Sequence, residues 1–341
     1  MNKKHPLYIE DIQSILSLRD INVLKGKSIL ITGATGLIGV HLIDALMALG
    51  DVHVYAVGRS KVKAESRLGE YYKNPLFTFI EQDVTDPLPM DIYVDYIIPG
   101  ASNTHPLAYS QYPIETIMIN VKGIEHALDL AVRCKAIVLY LSTVEVYGNA
   151  VSDEVFIEDY TGKLNLSTSR SCYTESKRVS EALCQSYIAE SGVDVKIVRL
   201  SRIFGPTMID SDSKASSQFI KKAISNENIV LKSKGEQYFS YTYVTDAVAA
   251  MLYVMIHGKC GHAYNISNER CNVHLKDFAQ ICAEYNGKNV VFDLPSEEEQ
   301  KGFSIAMQAV LDNNKLKALG FEPRYQMIDA VNRTIRILRD E

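Results

Sequence analysis

An α/β fold, a doubly wound parallel sheet followed by a smaller C-terminal α/β lobe, is predicted by three features of this 341-residue chain. From Lys27 onward, short runs rich in β-branched and aromatic residues alternate with longer amphipathic stretches. The runs are apolar throughout, as strands covered on both faces should be. A glycine-rich turn joins the first run directly to the first amphipathic stretch.

Taken in order, residues 1–26 precede this pattern as a helical preface, with Ile12, Ile15, Leu16 and Leu18 fitting one helical face. Ser28–Thr32, Val52–Val57, Phe77–Ile80, Tyr96–Pro99, Ile137–Leu141 and Val195–Leu200 read as strands. Ile38–Ala48, Ile114–Arg133 and Glu175–Glu190 read as helices. Such alternation implies βαβ units, and right-handed crossovers place helices on both faces of the sheet. This assigns residues 27–204 to the large domain. After Phe204 the pattern loosens into a Gly205-Pro206 turn, a polar stretch Asp210–Ser217 and a helix from Gln218. Residues 205–341 read as a smaller lobe closing over the carboxyl ends of the strands, where open α/β sheets bind ligands. The chain is free to cross between the two.

Composition narrows the class. Hydrophobic residues make up 47% and charged residues 23%, the balance of a chain with a sizeable core. The net charge of −5 argues against a nucleic-acid binder, which would carry a basic face. The longest uncharged apolar run, Ala247–Ile256, is about half of the roughly 20 residues a membrane helix needs. Lys3 and Lys4 are followed by no apolar h-region. Six cysteines without a CxxC pair suit reduced thiols in the cytoplasm. Eight histidines without HxxxH spacing give no reason to expect a metal.

Gly33-Ala34-Thr35-Gly36-Leu37-Ile38-Gly39 follows the first strand and opens a helix. Small residues there let the backbone approach a pyrophosphate, and the helix N-terminus supplies N–H donors and a positive dipole. The spacing GxxGxxG alone is also that of a tight strand–helix turn; strand before and helix after favour a Rossmann dinucleotide site. Gly33, Thr35, Gly36, Leu37, Ile38 and Gly39 are its cofactor contacts. NAD sites usually place an acid about 20 residues on, against the ribose 2′-hydroxyl. Here Arg59-Ser60-Lys61 follows the second strand, and no Asp or Glu lies between Asp51 and Glu65. Arg59, Ser60 and Lys61 could hold a 2′-phosphate, so NADP(H) is favoured over NAD(H), the plainer alternative being a solvated basic turn.

Tyr173-Thr174-Glu175-Ser176-Lys177 puts Tyr and Lys one helical turn apart on one face. A tyrosine of pKa near 10 becomes a usable acid/base when a lysine ammonium and a cationic nicotinamide lie beside it. Leu141-Ser142-Thr143-Val144-Glu145 brings hydroxyls and a carboxylate to the end of a buried strand. Thr143 could share the substrate hydroxyl's proton with Tyr173. Glu145 could orient substrate or serve as acid/base, or be a solvated loop carboxylate.

As an ordered set, Gly33–Gly39, Ser142–Gly148 and Tyr173–Lys177 resemble the extended short-chain dehydrogenase/reductases, the NAD-dependent epimerase/dehydratase superfamily acting on nucleotide sugars. The resemblance runs from Lys27 to Leu338 and includes Asp83-Val84, Asn120, Gly205-Pro206 and Tyr243-Val244-Thr245-Asp246. The run Arg170-Ser171-Cys172-Tyr173…Lys177-Arg178 is similar to a subgroup of surface-polysaccharide pathways. The resemblance implies a general acid/base Tyr173 assisted by Lys177 and Thr143, cofactor contacts at Asp83, Val84 and Ala101, and a substrate contact at Asn103. It also implies a homodimer through a four-helix bundle of Ile114–Arg133 and the Tyr173 helix, with Ile117, Ile124, Leu128 and Val132 as an apolar stripe.

Departures from the family pattern bear on the reaction. Dehydratases carry an acid at Val144; decarboxylases carry Ser there and an Arg at Phe239, which many relatives use on the substrate diphosphate. Arg202 is a candidate replacement at that substrate site, its alternative being a packing residue. Epimerisation and simple reduction need only Tyr173, Lys177 and a hydroxyl. With the basic turn at Arg59, the expectation is net NADPH-dependent reduction of a nucleotide-linked keto sugar, CDP-ketose to CDP-alditol being one example. The alternatives are an epimerase, or a dehydratase or decarboxylase, cycling tightly bound NAD, and, from another class, a nucleotide-binding protein without turnover.

Overall fold

In the computed structural model, which describes residues 1–104, 106–150, 154–293 and 307–341, the apolar runs become strands of one parallel sheet. They are β1 (Lys27–Thr32), β2 (Val52–Gly58), β3 (Phe77–Glu81), β4 (Tyr96–Pro99), β5 (Ile137–Thr143) and β6 (Val195–Leu200). Later strands are β7 (Arg202–Phe204), β8 (Ile229–Leu231), β9 (Tyr238–Tyr243), β10 (Ala263–Ile266), β11 (Asn272–His274), β12 (Val290–Phe292) and β13 (Gln308–Ala309). The large sheet has the order β10-β6-β5-β4-β1-β2-β3. The chain therefore reverses direction of travel at β1, with β2 on one side and β4 on the other. The crevice outside the carboxyl ends of β1 and β4 is the topological switch point where such sheets bind ligands.

The helices are α1 (Pro6–Leu16), α2 (Leu37–Leu49), α3 (Lys61–Leu68), α4 (Pro106–Gln111), α5 (Pro113–Cys134) and α6 (Ser171–Ser191). They continue as α7 (Ala215–Ile224), α8 (Val244–His257), α9 (Leu275–Glu284), α10 (Asn314–Ala318) and α11 (Met327–Arg339). Alternate strand residues face opposite layers: Ile29 and Ile31 pack with α2 and α8, whereas Leu30 packs with α5. Residues 244–255 of α8 are buried all round, which explains its uninterrupted apolar sequence as a core helix. Among the described residues, no helix is long and apolar enough to cross a membrane.

Several elements differ from expectation. α6 begins at Ser171 instead of Glu175, so that it includes Tyr173, as the spacing to Lys177 required. α7 begins at Ala215, within the stretch read as polar, since Ser216 and Ser217 turn small side chains into the core. β10 returns to the edge of the large sheet, so the chain crosses back after the smaller sheet formed by β7, β9, β11 and β13. The stripe on α5 divides: Ile124 and Leu128 are buried, whereas Ile117 and Val132 are exposed. Leu18 lies past the end of α1, whose buried side is Tyr8, Asp11, Ile12 and Ile15.

The preface is tied down by polar bonds that its apolar pattern did not reveal. Asp11 pairs with Arg333 of α11 at 2.8 Å and accepts the Tyr243 hydroxyl of β9 at 2.5 Å. Asp44 of α2 receives the Tyr8 hydroxyl at 2.5 Å, Lys3 at 2.7 Å and the Tyr71 hydroxyl at 2.9 Å. A buried carboxylate without such donors would carry a desolvation cost of several kcal/mol, on the order of ~5. α1 thereby braces the helix that opens from the glycine loop.

Candidate active site

Two loops meet at the switch point. The Thr32 hydroxyl accepts the backbone N–H groups of Gly100 and Ala101, each at 3.1 Å, and so ties the ends of β1 and β4 together. Gly33 adopts φ +69°, and a Cβ there would lie 2.6 Å from the Gly100 carbonyl oxygen. A Cβ on Gly39 would collide with the Gly33 carbonyl, and one on Gly36 would lie 3.2 Å from it. Gly36 is the N-cap of α2 and offers no side chain to bond the first-turn N–H groups. A 13-residue helix with a bare N-terminus and no room for side chains fits a pyrophosphate. Thr35, Leu37 and Ile38 flank this terminus half-buried, and the Leu37 carbonyl accepts the Thr207 hydroxyl at 2.7 Å.

At the ribose end, the structure adds what a search between Asp51 and Glu65 could not find. Arg59 donates to Glu115 at 2.9 Å and lies 3.8 Å from Asp83. Ser60 caps α3, accepting the Lys63 N–H at 3.2 Å, and the Lys61 N–H is bonded to Glu81 at 2.9 Å. The basic turn thus faces three carboxylates supplied by β3, the turn after it and α5. The other Asp83 oxygen takes the Thr85 N–H and hydroxyl at 2.9 and 2.8 Å. Val84 is buried, 3.1 Å from where a Cβ on Gly123 would lie, which explains that glycine in α5.

The reacting groups gather at the end of β5. Thr143 is its last residue, and its hydroxyl lies beside the Tyr173 phenol, which is almost wholly buried. Lys177 is buried one turn along α6, donating to the Leu141 carbonyl at 2.8 Å and lying 5.0 Å from the Tyr140 ring centre. Burial pushes the Lys177 ammonium down to about 8. Burial, and then the charge of Glu145, raise the Tyr173 phenol, while the Thr143 hydroxyl and Arg170 oppose them. Asn120 donates to Ser176 at 2.9 Å and fixes α5 against α6 behind the pair.

Four further elements form the opposite wall. Both Glu145 oxygens accept Arg170 Nη2, at 3.1 and 3.0 Å, and the Thr174 hydroxyl lies 3.4 Å away. The Arg170 guanidinium covers the Tyr109 ring of α4 at 4.6 Å, and Tyr109 stacks on Tyr173 with centroids 5.2 Å apart. Arg202 of β7 stacks on Phe239 of β9, its guanidinium carbon 3.5 Å from the ring centre. Its Nη1 is buried without a hydrogen-bond partner. Burial lowers the Arg202 pKa, and neighbouring Tyr241 and Glu145 oppose the shift. Val144 is buried and can protonate nothing. Asn103 donates to Thr116 at 3.2 Å, anchoring the loop after β4 to α5. Arg170 and Tyr109 escaped the sequence reading as site residues; the place of Arg170, three residues before Tyr173, was the available signal.

A dinucleotide crevice at the switch point beside a Thr–Tyr–Lys constellation defines an extended short-chain dehydrogenase/reductase. The chain belongs to the NAD-dependent epimerase/dehydratase family, whose profile matches residues 29–267. UDP-glucuronic acid decarboxylase 1 of Xenopus tropicalis is 33% identical over 319 residues, 92% of this chain and 73% of that protein. UDP-glucuronic acid decarboxylase 2 of Arabidopsis thaliana is 34% identical over 244 residues, 72% of this chain and 54% of that protein, so the match spans about half of the plant relative. The fold matches UDP-glucose 4-epimerase of Thermotoga maritima, determined with UDP-glucose, at TM-score 0.80 and 22% identity, covering 92% of this chain and 99% of that one. It likewise matches dTDP-glucose 4,6-dehydratase of Streptomyces venezuelae with NAD bound, at TM-score 0.80 and 23% identity, covering 92% and 97%.

Proposed function

We propose that this protein converts a nucleotide-activated sugar by an internal redox cycle on retained NAD. The observation that carries the reading is Thr143 beside Tyr173, one turn from the buried Lys177, in a sheet whose first loop ends at the bare N-terminus of α2. NAD held there would supply the hydride acceptor and later the donor. Gly33, Gly36, Leu37, Ile38 and Gly39 would hold its pyrophosphate. Tyr173 takes the proton from the reacting sugar hydroxyl, Thr143 holds that oxygen in line, and Lys177 stabilises the phenolate. Arg202, a half-buried cation whose buried Nη1 has no hydrogen-bond partner, is the group we assign to the anionic diphosphate.

The expectation of net NADPH-dependent reduction rested on the turn at Arg59, which Glu115 and Asp83 already neutralise. A 2′-phosphate would approach those carboxylates as well, so NAD is the cofactor we propose. The buried Val144 disfavours dehydration, while the similarity to decarboxylases keeps decarboxylation beside epimerisation despite Val144 and Phe239. We further propose a cytosolic homodimer. All six cysteines are free, and Ile114, Ile117 and Met118 of α5 with Val179 of α6 leave an exposed apolar face.

Incubation with a panel of nucleotide sugars and uronic acids, followed by product mass and nicotinamide absorbance, tests the reaction. We expect product without net change in cofactor, either isomeric with the substrate or lighter by carbon dioxide. Stoichiometric consumption of reduced cofactor would overturn the internal cycle in favour of reduction. Cofactor binding without turnover across the panel would favour the inactive binding protein.

A further inference from the structure

The wall beside Tyr173 holds a half-exposed ion pair that the mechanism above leaves without a task. Glu145 lies in the short 3-10 turn after β5, and Arg170 at the entrance to α6. They are 25 residues apart, yet one guanidinium nitrogen spans both carboxylate oxygens at 3.1 and 3.0 Å. The same guanidinium lies flat on Tyr109, and Tyr109 lies on Tyr173. Cation, ring and reacting phenol are thereby layered, with the carboxylate at their side.

We infer that Arg170 is a positioning residue, fixing the orientation of Glu145 and offsetting that carboxylate's charge at the Tyr173 phenol. The inference rests on the proposed role of Tyr173. A phenol that must give up its proton is hindered by any neighbouring anion and helped by any neighbouring cation. The groups around the Tyr173 phenol are Thr143 and Glu145 at the end of β5, Tyr140 within β5, Tyr109 from α4, and Arg170 and Lys177 at and along α6, with Arg202 farther off on β7. Lys177 directs its hydrogen bond to the Leu141 carbonyl, so in this arrangement the guanidinium on Tyr109 is the cation that answers Glu145. The directions of the shifts agree: Glu145 raises the phenol and Arg170 lowers it. A guanidinium suits this place because it can stack on a ring and bond a carboxylate together, whereas an ammonium is a point charge.

The test compares wild type with R170M, R170K, E145Q and E145Q/R170M in the NAD-saturated protein. Two readouts are taken: the pH profile of turnover and the near-ultraviolet tyrosinate titration, with Tyr173→Phe subtracted. R170M should move the Tyr173 ionisation up by about one pH unit, discounted for partial exposure of the pair, and slow turnover near neutrality roughly tenfold. R170K should lie between R170M and wild type. E145Q should move the ionisation down, and R170M should shift it less in the E145Q background. Superimposable profiles, or a raised KM with an unmoved profile, would overturn the inference and make Arg170 a packing or substrate contact. Should R170M fail to fold, an unmoved profile in E145Q overturns it equally. If wild type converts no nucleotide sugar, the proposed function fails, and the tyrosinate titration still decides the role of Arg170.

Discussion

The two ends of the active crevice are built on different plans. The cofactor end is one contiguous loop, Gly33–Gly39, whose demands are set by backbone distances to Gly33 and Gly100. The proposed substrate end is assembled from five places, with Glu145, Arg170, Tyr109, Arg202 and Phe239 brought together by the turn after β5, α6, α4, β7 and β9. The first plan fixes the backbone around the helix N-terminus within one stretch of chain. The second lets one side chain be exchanged for another across a strand pair without disturbing the sheet. Arg202 and Phe239 illustrate the freedom: β7 pairs with β9, so a guanidinium on one strand can lie on a ring of the other.

The largest effect should come where the two ends meet. Tyr173→Phe keeps the ring, its stack on Tyr109 and the cofactor loop, and removes only the oxygen that we propose moves the proton. We expect turnover to fall by about 10²–10⁴-fold with NAD affinity unchanged, measured by steady-state kinetics and titration calorimetry. A near-wild-type rate would show that the two ends do not share this residue.

Lys177 tests the same junction through stability. Its folded pKa, about 8, lies below the ordinary lysine value of 10.5 because the ammonium is buried. Below pH 8 both the folded and unfolded chains carry the proton, and the full burial cost is present. As pH rises from 8 toward 10.5 the folded chain loses its proton first, so stability rises across that window. Lys177→Met should therefore stabilise the cofactor-free protein at pH 7 by up to about 3 kcal/mol, less the bond lost at Leu141. The gain should vanish above the window, as followed by the difference in Tm between variant and wild type. A pH-independent difference would mean that Lys177 is not titrating there.

Arg202→Gln separates the ends. It should weaken nucleoside diphosphate binding about tenfold to a hundredfold, the worth of a charged hydrogen bond, and leave NAD binding alone. Calorimetry with nucleoside diphosphate and with nucleoside reads the difference; equal loss for both would return Arg202 to a packing role. Phe239→Arg added to Arg202→Gln should recover part of the affinity.

The same contrast explains what the sequence made legible. The sheet, the glycine loop and Tyr173 with Lys177 follow from local periodicity and spacing, which the chain carries in consecutive residues. The partners of Arg59 do not: Asp83 and Glu115 are 24 and 56 residues away, so a search confined to the second strand and its turn met no acid. The pairing of Glu145, itself a candidate from the sequence, with Arg170 25 residues on is hidden for the same reason. The starts of α6 at Ser171 and of α7 at Ala215 are not legible in local pattern, because serines there are first-turn or buried residues without an apolar period to mark them.

The smallest effect is expected at Arg59, and it sharpens the comparison because it lies at the cofactor end yet is built on the long-range plan. Its side chain is 56% exposed and that of Glu115 41%, so the pair contributes no more than about 1 kcal/mol. Arg59→Ala should therefore change NAD(H) affinity by less than about fivefold. It should create no new preference, since the cation it removes is already matched by Glu115 and Asp83. Glu115→Gln is the informative partner. Freed of its carboxylate, Arg59 can turn to a 2′-phosphate, and NADP(H) affinity should rise relative to NAD(H) by a few fold, about the worth of one surface charge. Fluorescence titration of both reduced cofactors against the three proteins measures this. Wild type binding NADPH more than about tenfold tighter than NADH, a gap above 1 kcal/mol, with the preference abolished in Arg59→Ala, would show that the basic turn outcompetes its own carboxylates. The cofactor end would then have to be read from its local sequence after all.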